Sequence, residues 1–171
     1  MSGLRVLAPA ALCAALLLCQ PALHAGAASG VSPAAPSWTA TDIDGRLISS
    51  SALLGRVVLV DFWATWCAPC LAELPRLQRL HRTYADRGLT IVGVSLDRSS
   101  ARDFRSWLQR QGVDWPQVRE GFGYDGPLTR LFGVETLPAS FLFDADGRLR
   151  AARRRGASLE ADVRALMERP R

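Results

Sequence analysis

Two cysteines, Cys67 and Cys70, stand two residues apart in VVLVDFWATWCAPCLAELP, residues 57–75, and one aspartate, Asp61, interrupts the apolar run before them. Such a pair can be a small structural disulfide, two ligands of a metal site, or a reactive redox pair. As a staple it is poor, because loop closure stabilises least when the loop is short. As a structural zinc site it is incomplete, because four ligands are wanted. Beyond residue 28 only His81 could join the two thiols, and it lies fourteen positions after Cys67, where a surface position on a helix is expected. Two thiolates alone could hold copper(I).

The redox reading has a local mechanism. Cys67 follows a strand-like run and opens a helix-like one. A thiolate there meets unpaired backbone N–H groups and the positive end of the helix dipole. Those effects can lower a Cys-x-x-Cys thiol from ~8.5 to between ~3.5 and ~7.5. The thiolate is the nucleophile of disulfide exchange. Cys70 lies one turn deeper and is expected to be less exposed, so Cys67 attacks and Cys70 resolves. Pro69 fits in the first turn, where no intrahelical N–H bond is lost. Asp61 is depleted-type chemistry for a strand and costly to bury. Either it lies at an edge with its carboxylate in solvent, or it is buried with a raised pKa, beneath the helix, and accepts the Cys70 proton.

Periodicity supplies the elements that must position these groups. WTATDIDGRLIS reads as a hairpin turning at Asp44-Gly45, and SSALLG as a short helical turn. VVLVDFW and LTIVGVSLD read as buried strands. Leu71, Leu74, Leu77, Leu80 and Tyr84 recur at helical steps between them. Ser99 or Ser100 caps a helix that runs to Gly112. VDWPQV is short and extended, PLTRLFG is a short helix, and SFLFDADGRLRAA is a second hairpin. Ser158 is expected to cap a last helix, with Glu160 and Asp162 in its first turn. The order predicts an α/β domain. Its mixed central sheet has helices on both faces, an N-terminal hairpin and a helical insertion.

Residues 1–28 carry Arg5, an apolar run and small residues, the pattern of a signal peptide. The alternative is an uncleaved membrane anchor through residues 4–23. Residues 29–36 read as a flexible linker, and residues 37–171 as one domain. Cys13 and Cys19 fall in the leader, so the exported chain keeps only Cys67 and Cys70. Export, to the periplasm or beyond, implies an oxidising compartment. All 21 basic residues are arginine. The only tight cluster, Arg153 to Arg155, reads as a solvated rim, too short to argue for nucleic acid.

DFWATWCAPC resembles the active site of the thioredoxin superfamily, and GVETLPASFLFDADGRL resembles its cis-proline strand and hairpin. With the leader and the DIDGRLISSSALLGRVVLVDFWATWC segment, the chain is similar to the exported TlpA- and ResA-like branch. The resemblance covers residues 37–168. It implies a thioredoxin-like fold and a cis bond before Pro138. It implies that Leu137 offers backbone to a client strand, and that Trp66, Ala68 and Pro69 border the client. Trp63 would flank the disulfide or lie in the core, Pro75 would kink the helix, and Glu73 would either tune the thiols or sit in solvent. Some positions depart from the family: Gly93 stands where thioredoxins usually carry a lysine, Leu71 replaces a basic residue, and Ala139-Ser140 follow the proline.

The expected activity is reduction of disulfides in client proteins, of cytochrome c maturation or copper-centre assembly type. A membrane thiol donor would recycle the pair, and the chain is expected to act as a monomer with no cofactor and no metal. The competing expectations are a dithiol oxidase or isomerase, a thiol peroxidase and a Cu(I) carrier. The peroxiredoxin-type Pro-x-x-x-Thr-x-x-Cys pattern is absent before Cys67.

Overall fold

The computed structural model describes residues 34–169. The leader and the first part of the linker, residues 1–33, lie outside that range. The expected hairpin is β1 (Thr39–Thr41) against β2 (Leu47–Ser49), antiparallel. Asp42 builds its turn: Oδ1 accepts from Asp44 N (2.9 Å) and Arg46 N (2.8 Å), and Gly45 takes φ +84°. Only glycine adopts that backbone without a Cβ penalty.

A five-stranded sheet forms the centre, in the order β5-β4-β3-β6-β7. Its strands are β3 (Val57–Trp63), β4 (Leu89–Ser95), β5 (Gln117–Arg119), β6 (Ala139–Phe143) and β7 (Leu149–Ala152). β3, β4 and β5 run parallel, and β6 and β7 add antiparallel. The helices are α1 (Ala68–Tyr84), α2 (Ala101–Gln111), α3 (Pro127–Leu131) and α4 (Gly156–Met167). α2, β5 and α3 make up the insertion between β4 and β6.

Strand alternation sorts the core into two halves. Val57 and Leu59 pack with Leu74, Leu77 and Leu80 of α1 and with Leu159 and Val163 of α4. Val58, Val60 and Phe62 pack with Phe104 and Leu108 of α2, Leu128 of α3, and Phe132, Phe141 and Phe143. Asp61 shares parity with Val57 and Leu59, so its side chain lies on the α1/α4 face.

Helix ends follow local chemistry where the signals are local. Ser100 Oγ accepts from Asp103 N (3.1 Å), and Gly112 closes α2 at φ +66°. The last helix differs from expectation. It starts at Gly156, nearly one full turn earlier, and Ser158 Oγ donates to Arg155 O (2.7 Å) from inside the first turn. The acceptor for the Gly156 N–H is Glu73 Oε2 of α1, at 2.9 Å. A carboxylate from a distant helix thus does what a serine was expected to do. At the start of the domain, Ala35 N donates to Gly147 O (2.7 Å) and Ile43 N to Gln117 O (2.7 Å), which docks it on the β6–β7 turn and on edge strand β5.

Gly93 is a steric requirement. A Cβ there would lie 2.2 Å from Gln117 Oε1 and 2.5 Å from its Nε2. Gln117 is held by a hydrogen bond from the Trp63 indole at 3.0 Å. Gly93→Ala therefore destabilises the oxidised chain by about 1–3 kcal/mol, read as the urea midpoint; an unchanged midpoint would mean that the amide steps aside freely.

Candidate active site

Cys67 is the N-cap residue of α1 and joins Cys70 in a disulfide with S–S 2.05 Å. Its Sγ accepts from Cys70 N at 3.3 Å. β3 delivers the chain to this point, and Ala64–Trp66 make the short crossing. The long helix behind Cys67 brings a dipole and free N–H groups to the sulfur. Exposure does not separate the two cysteines as expected: Cys67 is 6% exposed and Cys70 5%. Their difference is one of position, since only Cys67 sits at the cap where helix N–H groups converge.

The crossing is held from β4. Asp97 Oδ2 accepts from Thr65 N (2.9 Å) and from Ser95 Oγ (2.7 Å), and Oδ1 accepts from Thr65 Oγ1 (2.6 Å). Asp97 carries no motif in the sequence. Its signal was a carboxylate at the carboxyl end of a parallel strand, where open α/β sheets build their sites.

Around the disulfide, Trp66 is 59% exposed, and Ala68 and Pro69 are exposed beside it. Leu137 and Pro138 are half-buried, and the peptide bond between them is cis. Trp63 is core: it is buried against Phe104 and Trp107, with ring centroids 5.8 and 5.3 Å away. Pro75 lies inside α1, five residues after Cys70, and is exposed. His81 is not on the open surface; it is half-buried, with Nε2 3.4 Å from Asp114 Oδ1 and its ring against Trp115. Among the described residues, no three His, Cys, Asp or Glu side chains cluster as a metal site would need.

Asp61 lies in β3 with Gly93 of β4 on one side and Ser140 of β6 on the other. It keeps partial solvent contact in otherwise buried β3. Burial, and then the nearby Glu73 carboxylate, push its pKa up to about 8. Glu73 is also held in place: besides Gly156, its Oε2 is 3.7 Å from Arg76 Nε, and Arg76 pairs in turn with Glu160 of α4. α1 and α4 are thereby tied to each other on the face of the sheet that Asp61 shares.

The arginine run has a structural part. Arg153 takes φ +55°, donates its N–H to Ser140 O (2.6 Å), and reaches Gly133 O with Nη2 (2.9 Å). Ser140 Oγ donates to Arg154 O (2.6 Å). These bonds fix the segment behind the cis-proline strand.

The raised Asp61 pKa makes stability depend on pH. The native chain holds this proton more tightly than the unfolded chain does. Stability therefore falls as pH rises from the ordinary carboxylate range to about 8, and levels off above that. The amplitude is on the order of a few kcal/mol. Denaturation of the oxidised chain between pH 4 and 9 should show this slope, and Asp61→Asn should flatten it.

The AhpC/TSA family model matches residues 31–152. The thiol-disulfide oxidoreductase ResA of Bacillus thuringiensis subsp. konkukian is 30% identical over 116 residues, 67% of this chain and 64% of that protein. The ResA of Oceanobacillus iheyensis is 42% identical over 108 residues, 63% of this chain and 54% of that protein. The chain thus spans less than two thirds of these relatives. Among solved structures, the thioredoxin domain of a thiol-disulfide oxidoreductase from Bacteroides vulgatus superposes with TM-score 0.72 at 29% identity, covering 81% of this chain and 98% of that one. A thiol:disulfide interchange protein of the thioredoxin family from Chlorobium tepidum gives TM-score 0.68 at 28% identity, covering 80% and 97%. The fold is thioredoxin-like, as the motif resemblance implied. With most of the domain inside the matched span, the chain belongs to the AhpC/TSA family.

Proposed function

We propose that this chain is an exported thiol–disulfide oxidoreductase that reduces disulfides in client proteins. One observation carries the reading: a Cys-x-x-Cys disulfide caps a helix beside an exposed tryptophan, with a proton-holding carboxyl on the same side of the sheet. The names of the relatives support it. The domain proper is residues 37–171, preceded by the linker 29–36 and by a leader, cleaved or kept as an anchor, in residues 1–28.

In the working cycle the pair starts reduced. The Cys67 thiolate attacks one sulfur of a client disulfide, and the other client sulfur leaves as a thiolate. Asp61 takes the Cys70 proton. The Cys70 thiolate then attacks Cys67 Sγ, the second client sulfur leaves, and the Cys67–Cys70 disulfide forms. Two electrons pass to the client. Leu137 presents backbone to the client chain as an added strand, next to Pro138, and Trp66, Ala68 and Pro69 border the attacked bond. Clients of the cytochrome c maturation or copper-centre assembly type fit the resemblance. A membrane thiol donor restores the dithiol, and the chain works as a monomer.

Insulin reduction by the pre-reduced chain is expected, and Cys67→Ser should abolish it; activity retained in that variant would sink the mechanism. Cys70→Ser should accumulate a mixed disulfide with the client. A reduction potential near about −120 mV, the strong-oxidant end of the range for such pairs, would point to a dithiol oxidase instead. With a pKa of about 8, roughly one Asp61 in ten is ionised at pH 7. Resolution of the mixed disulfide should therefore speed up as pH rises toward 8. Asp61→Asn should slow it by about 10²-fold, measured by quenched-flow trapping.

A further inference from the structure

Four residues stand at one level across the sheet. Ser140 pairs with Asp61, Asp61 with Gly93, and Gly93 with Gln117. Paired positions share a face, and here that face lies under α1 and α4. Gly93 has no side chain, and the Gln117 carboxamide lies across it, as the 2.2 and 2.5 Å approaches to a Cβ at that position show. The amide thus fills the space beside Asp61, one strand spacing of ~4.8 Å away.

The orientation of that amide is set. Oε1 accepts from Trp63 Nε1 at 3.0 Å, which leaves Nε2 as the free end. Gln117 is 2% exposed, and its Nε2 has no hydrogen-bond partner among the described residues. A buried donor left unpaired costs about 1–3 kcal/mol. Other groups around Asp61 are committed or have the wrong sign. α1 brings the Glu73 carboxylate, already shared between Gly156 N and Arg76. α4 brings Glu160, paired with Arg76. The Ser140 hydroxyl of β6 donates to Arg154 O. β4 offers apolar Leu89 and Ile91 and the bare Gly93 on this face. Gln117 Nε2 is the one uncommitted donor in the row among the described residues.

We propose that Gln117 is a positioning residue for Asp61: its Nε2–H donates through one water molecule to the Asp61 carboxyl, holding it in place and favouring its ionised form as Cys70 gives up its proton. A one-water bridge spans the strand spacing and satisfies the orphan donor. Burial and Glu73 both oppose ionisation of Asp61, and the Gln117 dipole offsets part of that opposition without adding a charge. The catalytic step it serves rests on the oxidoreductase reading above; the coupling between the two side chains does not.

Two nuclear magnetic resonance titrations of the oxidised chain, without client, test it. In the unmutated protein the Gln117 side-chain NH2 resonances should shift with the same midpoint as the Asp61 carboxyl carbon, and Asp61→Asn should remove that inflection. In Gln117→Met the Asp61 midpoint should rise by on the order of half a pH unit or more, and the pH profile of mixed-disulfide resolution should move with it. A Gln117 amide blind to Asp61 titration, or an unmoved midpoint in Gln117→Met, would overturn the proposal. Should Gln117→Met fail to fold, the unmutated amide decides alone. Failure of the unmutated chain to reduce insulin, with the coupling intact, would count against the oxidoreductase reading and not against the coupling.

Discussion

An aspartate on the covered face of a sheet is expensive, and much of this domain is arranged around that expense. Asp61 faces α1 and α4, where its strand neighbours Val57 and Leu59 meet leucines. Holding the carboxyl neutral near pH 7 avoids burying a bare charge. In the proposed cycle the same proton makes the group useful, because a carboxyl that changes state near neutrality can accept a thiol proton and release it again. Stability and chemistry therefore pull in opposite directions at one residue. A position that breaks a local rule is where function is expected.

Most of the surrounding structure can be read as support for that compromise. Glu73 would be a second uncompensated charge, but Gly156 N and Arg76 hold it. Asp97 fixes the crossing that sets where Cys67 starts its helix. Trp63, which follows Asp61 by two in the same strand, steers the Gln117 amide. The sulfur pair itself is simple: a cap residue and the residue one turn on, in reach of each other because a helix closes that distance.

The sequence revealed what depends on neighbours along the chain. The Cys-x-x-Cys pair, the strand before it, the Ser100 cap and the Gly112 stop are all encoded within a few residues. So was Asp61, by contrast with its apolar surroundings. Local sequence points to Ser158 as the cap of α4, whereas the true partner, Glu73, lies 83 residues away. Helical position alone suggests a surface site for His81, and only the distant Trp115 and Asp114 of the insertion cover it. Asp97 and Gln117 carried no motif. A lone glycine in an apolar strand does mark close approach by another group, but Gly93 could not say which group approaches.

The link between α1 and α4 also bears on how the protein is made. Synthesis proceeds from the N-terminus, so Cys67 and Cys70 leave the ribosome before residues 156–160 do. Until α4 docks, Glu73 lacks the Gly156 N–H, and Arg76 lacks Glu160. The thiol pair thus exists for a time in a half-finished electrostatic setting, and its settled reactivity is a property of the completed chain. The last helix acts as a late-arriving lock on a chemistry encoded ninety residues earlier.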